Sequence, residues 1–96
     1  LMLFKHTIKT TKREELVDIT SFVVSSVKKS GIKEGIVIVY IPHTTAGILI
    51  NENADPSVCE DILNFLNKRI PKDFDFKHLE GNSDAHIKSC LVGNSK

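Results

Sequence analysis

The chain has 96 residues, of which 41% are hydrophobic and 26% are charged. This composition is typical of one globular domain over residues 1–96, and it argues against disordered and fibrous classes. Thirteen basic and twelve acidic residues give a net charge of +1, so charge predicts no binding to nucleic acid or to an anionic membrane. No apolar run reaches the ~18 residues that cross a bilayer, and two cysteines are too few for a disulfide scaffold. We therefore expect a cytoplasmic protein.

The N-terminal third of the chain predicts a strand followed by a helix. Residues 3–9 alternate between two faces, which is the period of a strand. Thr20 is the expected N-cap of a helix that ends at Gly31, after two lysines in its last turn. The apolar stripe of this helix consists of Phe22, Val23 and Val27.

Two β-branched runs follow, and each ends at polar residues. Residues 36–41 are apolar throughout, which predicts a strand buried on both faces that stops at Pro42, directly before His43. The shorter run 48–50 predicts a second strand that ends at Asn51 and Glu52. Both strands are thus expected to deliver polar groups at their ends.

The last part of the chain predicts two more helices. Asp55 followed by Pro56 is a strong helix start, and Pro71 limits the helix at its other end. Its apolar face is formed by Val58, Ile62, Phe65, Leu66 and Ile70. Ser83 or Asp84 is expected to cap a short helix, with its inward face formed by Ile87, Cys90 and Leu91. Few strands remain to complete a sheet, so we expect either that a partner subunit supplies the missing edge or that the natural protein continues beyond these residues.

Three of the four histidines lie in polar motifs that suit a binding site. His43 follows a predicted buried strand, His78 precedes a Glu-Gly-Asn turn and His86 lies in the first turn of the last helix. Side chains at such positions can converge on a cleft, where three imidazoles would bind a metal ion. Their spacing matches no short-range zinc motif, so three unrelated surface histidines are the alternative interpretation.

Other polar residues of the same motifs are candidates for substrate binding and catalysis. Thr44 and Thr45 are either turn residues or hydroxyl ligands of phosphate oxygens. Glu52 is a candidate general base or a carboxylate that orients a histidine, and Asp84 offers a charge beside the last helix. Neither a nucleophile elbow nor a glycine-rich phosphate loop is present in the sequence.

Three motifs together closely resemble the YjbQ-like family. They are Pro42–Ala46, then Ile50–Asn53 with Asp55-Pro56, and the run from His78 to Ser89. The resemblance implies an α+β fold, a twisted mixed β-sheet sandwich with two main helices, assembled as a homotrimer. It also implies that the family's C-terminal strands are missing from this chain, and it implies a link to secondary thiamine-phosphate synthase activity.

The resemblance also implies a set of site residues. His43, His78 and His86 are expected to bind a divalent metal, with zinc favoured over magnesium by the ligand type. Glu52 and Asp84 are the predicted catalytic residues. The predicted substrate-binding residues are Thr44, Thr45, Asn51, Asn82, Lys88 and Ser89.

The predicted function is a synthase-type reaction on a small phosphorylated substrate. A metal ion and cationic donors would stabilise the departing pyrophosphate. Two alternatives stay open: a metal-dependent hydrolase that uses a histidine-bound metal to activate water, and a non-catalytic metal- or metabolite-binding module.

Overall fold

The fold contains three helices joined by extended and irregular segments. We describe residues 2–96 from a computed structural model. The helices are α1 (Thr20–Ser30), α2 (Pro56–Arg69) and α3 (Ser83–Val92). The chain packs into two compact units, Leu1–Val37 with α1 and Ile38–Lys96 with α2 and α3.

Helix α1 ends at Gly31 as predicted, but the prediction that Thr20 is its N-cap is wrong. Ile19 is the N-cap and Thr20 is the first helical residue; the Thr20 amide donates a hydrogen bond of 2.9 Å to Asp18 Oδ1. Gly31 ends the helix in the left-handed conformation with a φ of 70°, a conformation that glycine adopts without a steric penalty. Before the helix, the imidazole of His6 stacks on the Phe22 ring with centroids 4.9 Å apart.

Helix α2 confirms the Asp-Pro start signal. Asp55 Oδ1 accepts a hydrogen bond of 2.9 Å from the Ser57 amide, and Pro56 opens the helix. This hydrogen bond lowers the pKa of Asp55, because it stabilises the charged carboxylate. The predicted apolar face is half-buried except at Phe65, which is 59% exposed and lies under the Arg69 guanidinium at 5.2 Å.

The predicted β-sheet sandwich is wrong. Within residues 2–96 the only β pairing is an antiparallel bridge between Tyr40 and Ser95. It is supported by backbone hydrogen bonds that join Val39 to Lys96 in both directions, at 2.8 and 3.0 Å, and by a bond from the Ile41 amide to the Asn94 carbonyl. Apolar periodicity predicts an extended backbone but not a pairing partner, and a strand forms only where a neighbour accepts and donates along its length.

The apolar run 36–41 is also not buried on both faces as expected. Ile36 is 92% exposed and Ile38 is 76% exposed. Among the described residues, no second strand lies against residues 36–38. No hydrophobic residue in the described part of the chain is fully buried.

Helix α3 buries a polar face instead of the predicted apolar one. Ile87 is 38% and Leu91 is 69% exposed, and Cys90 is exposed, whereas Asp84 is fully buried. Polar side chains of α3 lie on this face because they find hydrogen-bond partners elsewhere in the chain. The Lys88 ammonium donates to Asn67 of α2 at 2.5 Å and lies 3.4 Å from Asp84.

The segment after the bridge packs against the end of α3. The Ser89 hydroxyl donates to the Ala46 carbonyl at 2.5 Å, and the Ile48 amide donates to the Gly93 carbonyl at 2.9 Å. Gly47 lies between these contacts, where an added Cβ would come within 2.9 Å of the Gly93 carbonyl oxygen. Glycine is therefore required for the close approach, and this approach fixes the segment that carries His43.

Candidate functional site

Two of the three predicted histidines meet at one place. The rings of His78 and His86 lie edge to face, with centroids 5.4 Å apart and planes at 89°. His86 is held by the first turn of α3, and His78 lies in the irregular segment before that helix. Both line one open hollow of about 390 Å³, which we call the histidine-pair site. The residues that line it are Phe76, Lys77, His78, Ser83, His86 and Ile87.

The distance between the two ring centroids is close to that of two imidazoles bound to one zinc ion. Zinc–nitrogen bonds of about 2.0–2.1 Å in tetrahedral geometry place two imidazole centroids roughly 5 Å apart, close to the 5.4 Å observed. Among the described residues, however, no group of three or more His, Cys, Asp or Glu side chains is arranged to hold a metal ion. The described residues thus bring two imidazoles together but form no group of three metal-ligating side chains.

The histidine-pair site contains polar groups of different chemistry. The Lys77 side chain brings a cation and Ser83, the first residue of α3, brings a hydroxyl to the same hollow. Glu80 Oε2 lies 3.7 Å from Nε2 of His78, which is 41% exposed. Because 3.7 Å exceeds hydrogen-bond length, this carboxylate influences the ring mainly through its charge.

The third histidine, His43, lies in a different hollow. The residues that line this hollow are Tyr40, Pro42, His43, Thr44 and Asn94. It shares no lining residue with the histidine-pair site. Nδ1 of His43 accepts a hydrogen bond from the Thr45 amide at 3.1 Å and lies 3.0 Å from the Thr45 hydroxyl.

The predicted catalytic carboxylates have different surroundings. Asp84 is fully buried and paired with Lys88, so it does not face a ligand directly. Glu52 is exposed, and its amide donates to the side chain of the preceding Asn51 at 2.7 Å. Neither residue lines the hollows described above.

The predicted substrate-binding residues are also divided. Thr44 lines the hollow of His43, whereas Lys88 and Ser89 contribute to packing through their bonds to Asn67 and Ala46. Asn82 is the N-cap of α3, so the prediction of Ser83 or Asp84 as the cap is wrong. The carboxamide oxygen of Asn82 is buried without a hydrogen-bond partner among the described residues.

Sequence reasoning missed several residues that line the two hollows. Lys77 and Ser83 were not predicted as site residues, although each is close in sequence to a predicted histidine or cap. Asn94 comes from the end of the described chain and reaches the His43 hollow through the bridge between residues 40 and 95. Only that bridge reveals its proximity, so no local pattern could have predicted it.

The chain matches the model of one protein family over nearly its whole length. Residues 4–96 fit the family described as UPF0047 protein YjbQ-like. The chain belongs to this family. This confirms the resemblance carried by the motifs that begin at Pro42, Ile50 and His78.

Individual YjbQ-like relatives agree with this assignment. The chain is 66% identical over 95 residues to UPF0047 protein MJ1081 of Methanocaldococcus jannaschii, covering 99% of the chain and 69% of that protein. It is 49% identical to UPF0047 protein YugU of Bacillus subtilis, covering 93% of the chain and 68% of that protein. The chain therefore spans about two thirds of the length of these relatives, and their names specify no activity.

Solved structures of YjbQ-like proteins have the same backbone arrangement. A family member from Clostridium acetobutylicum superimposes with a TM-score of 0.91 at 53% identity, covering 93% of this chain and 69% of that one. The YbjQ-like protein SSO2532 of Sulfolobus solfataricus gives a TM-score of 0.88 at 35% identity, covering 93% of this chain and 65% of that one.

Among residues 2–96, no helix is long and apolar enough to cross a membrane.

Proposed function

We propose that this YjbQ-like chain carries the histidine-pair site of an enzyme that acts on a small phosphorylated substrate, in a thiamine-phosphate synthase type of reaction. The observation that supports this proposal is the edge-to-face pair of His78 and His86, with ring centroids 5.4 Å apart. Lys77 and Ser83 lie in the same hollow. Imidazoles, an ammonium group and a hydroxyl together suit a ligand that carries phosphate groups.

The reaction joins a pyrimidine pyrophosphate to a thiazole phosphate. A carbon–nitrogen bond forms at the exocyclic methylene carbon of the pyrimidine as its bond to the pyrophosphate oxygen breaks, and pyrophosphate leaves with the bonding electron pair. The chemical demand is therefore stabilisation of a departing anion. Lys77 provides positive charge at the hollow, and Ser83 provides a hydroxyl donor.

A divalent metal ion, with zinc favoured over magnesium, would be held by His78 and His86. When bound, it would supply Lewis-acid stabilisation of phosphate oxygens. The Glu80 carboxylate, 3.7 Å from Nε2 of His78, would favour one orientation of that ring through its charge. Asp84 acts as a positioning residue in this proposal, because its buried pair with Lys88 fixes the helix that carries His86.

Hydrolysis is the second candidate reaction. It is favoured by the openness of the histidine-pair site, since the His78 side chain is 41% exposed and water reaches the ligand-binding face freely. A metal ion between two imidazoles could activate such a water molecule for attack on a phosphate ester.

The proposed assembly is a homotrimer in the cytoplasm. Ile36 and Leu79 are 92% and 99% exposed, and association would remove such apolar surface from water. Cys59 and Cys90 are both free thiols, in keeping with a reducing compartment. Light scattering coupled to size-exclusion chromatography tests the trimer, and a monomeric mass at micromolar concentration would contradict it.

The activity is tested with both phosphorylated substrates and chromatographic detection of thiamine phosphate. Wild-type protein is expected to form the product, and His86→Ala is expected to lose at least tenfold in rate. His6→Gln is the matched control, because His6 lies outside the site and contacts Phe22 and Ser26. Release of phosphate without thiamine phosphate would support the hydrolase, whereas no turnover with metal binding retained would support the non-catalytic binding module.

A further inference from the structure

His43 is fixed in a short turn by its own ring. The His43 amide donates to the Ile41 carbonyl at 2.9 Å, and the Thr45 amide donates to Nδ1 of the ring at 3.1 Å. The imidazole thus replaces the carbonyl acceptor that usually closes a turn, as Asn and Asp side chains do elsewhere.

This hydrogen bond determines the tautomer of the ring. A backbone N–H is always a donor, so Nδ1 must present its lone pair to Thr45. A neutral imidazole carries only one proton, which then resides on Nε2. Nε2–H has no hydrogen-bond partner among residues 2–96.

The ring therefore has no nitrogen lone pair left for a metal ion. Metal ligation needs an unprotonated nitrogen, and the one that His43 has is engaged by the Thr45 amide. In agreement with this, the described residues contain no group of three or more His, Cys, Asp or Glu side chains that could hold a metal ion.

We infer that His43 is a neutral hydrogen-bond donor that binds a phosphate oxygen through Nε2–H, in an oxyanion subsite formed with Thr44 and Asn94. The side chains of Thr44 and Asn94 add a hydroxyl and a carboxamide, both able to donate. None of the residues that line this hollow is acidic, so an anion meets no like charge there. The choice of phosphate rests on the proposed function, whereas the tautomer rests on geometry alone.

The tautomer is tested by two-bond ¹H–¹⁵N correlation NMR of ¹⁵N-labelled protein at pH 8. The His43 signals are assigned by their absence from the spectrum of a His43→Asn variant. The expected pattern is the Nε2–H tautomer, with signals that stay unchanged when zinc is added while those of His78 and His86 move. An Nδ1–H pattern, or a zinc-induced shift of His43 equal to that of His86, would overturn the inference.

Ligand binding is tested by titration with inorganic phosphate. The amide of asparagine can replace the Nδ1 acceptor that the Thr45 amide needs, but it does not reach the position of Nε2. His43→Asn is therefore expected to retain the turn and to bind phosphate about tenfold more weakly, the loss expected for one hydrogen bond to a charged group. His43→Gln, which can place a donor near Nε2, is expected to stay within about threefold of wild type.

Equal phosphate affinity in wild type and His43→Asn would overturn the oxyanion subsite. The outcome is independent of the synthase assay. Phosphate binding that depends on His43 in a protein without thiamine-phosphate synthesis would refute the proposed reaction and leave this inference standing.

Discussion

The buried pair of Asp84 and Lys88 allows a quantitative prediction about stability. The Lys88 side chain is 12% exposed and that of Asp84 is 1% exposed, with 3.4 Å between the ammonium nitrogen and the nearer carboxylate oxygen. At this distance and an effective dielectric constant of about 20, the Coulomb attraction is roughly 5 kcal/mol before desolvation. Removing one member of such a pair leaves the other charge buried, which typically costs 3–5 kcal/mol.

Lys88→Met keeps most of the side-chain volume but removes the charge. Because further interactions of Asp84 remain, we expect the free energy of unfolding to fall by about 3 kcal/mol, at the lower end of that range. Asp84→Asn in the Lys88→Met background removes the buried carboxylate charge that no longer faces Lys88, so it is expected to recover about 1–2 kcal/mol.

The assay is urea denaturation followed by circular dichroism. Lys72→Met is the matched control, because Lys72 is exposed and an exposed lysine is expected to change stability by less than about 0.5 kcal/mol. The reasoning is refuted if Lys88→Met and Lys72→Met destabilise the protein equally, since the pair would then behave as an ordinary surface ion pair.

Three further predictions concern Asp55 and two glycines. The pKa of Asp55 is lowered in the folded protein. The stabilising effect of its carboxylate is therefore present above the unfolded pKa and is lost as the pH falls through the folded pKa. Thermal melts of wild type and Asp55→Ala should converge at acidic pH and separate at neutral pH. Gly31→Ala should cost about 1 kcal/mol in chemical denaturation, entirely from the positive φ of 70°, because nothing lies within 4 Å of the added Cβ. Gly47→Ala should cost more, about 1–3 kcal/mol, because its Cβ would approach the Gly93 carbonyl oxygen to 2.9 Å; a smaller loss than for Gly31→Ala would contradict the close approach.

The start of α2 and the end of α1 were predictable because local chemistry sets them. Asp55 and Pro56 start α2 through one side-chain hydrogen bond and one fixed dihedral angle. Gly31 ends α1 through its left-handed conformation. Both signals depend only on residues a few positions apart, so the sequence alone contains the information.

The sheet and the buried face of α3 were not predictable in this way. The run 36–41 is extended, but it pairs only where residues 94–96 come alongside, and an apolar pattern does not specify that partner. The periodicity of α3 favoured Ile87 and Leu91 as inward residues, yet Lys88 and Ser89 of the same helix donate to the Asn67 side chain and the Ala46 carbonyl.

The candidate site was only partly predictable, because only some of its contacts join residues that are close in sequence. His78 and His86 are eight positions apart, and a turn followed by the first turn of a helix brings them together. The position of His43 depends instead on contacts of the preceding and following segments with α3 and residues 94–96, which are distant in sequence.

The most direct test of the histidine-pair site is calorimetric titration of zinc into untagged, metal-free protein. We expect one zinc site per chain. The zinc affinity should fall at least tenfold in both His78→Ala and His86→Ala, and it should be unchanged in His6→Gln. Zinc binding of wild-type strength in both single variants would contradict the claim that the two rings form one centre.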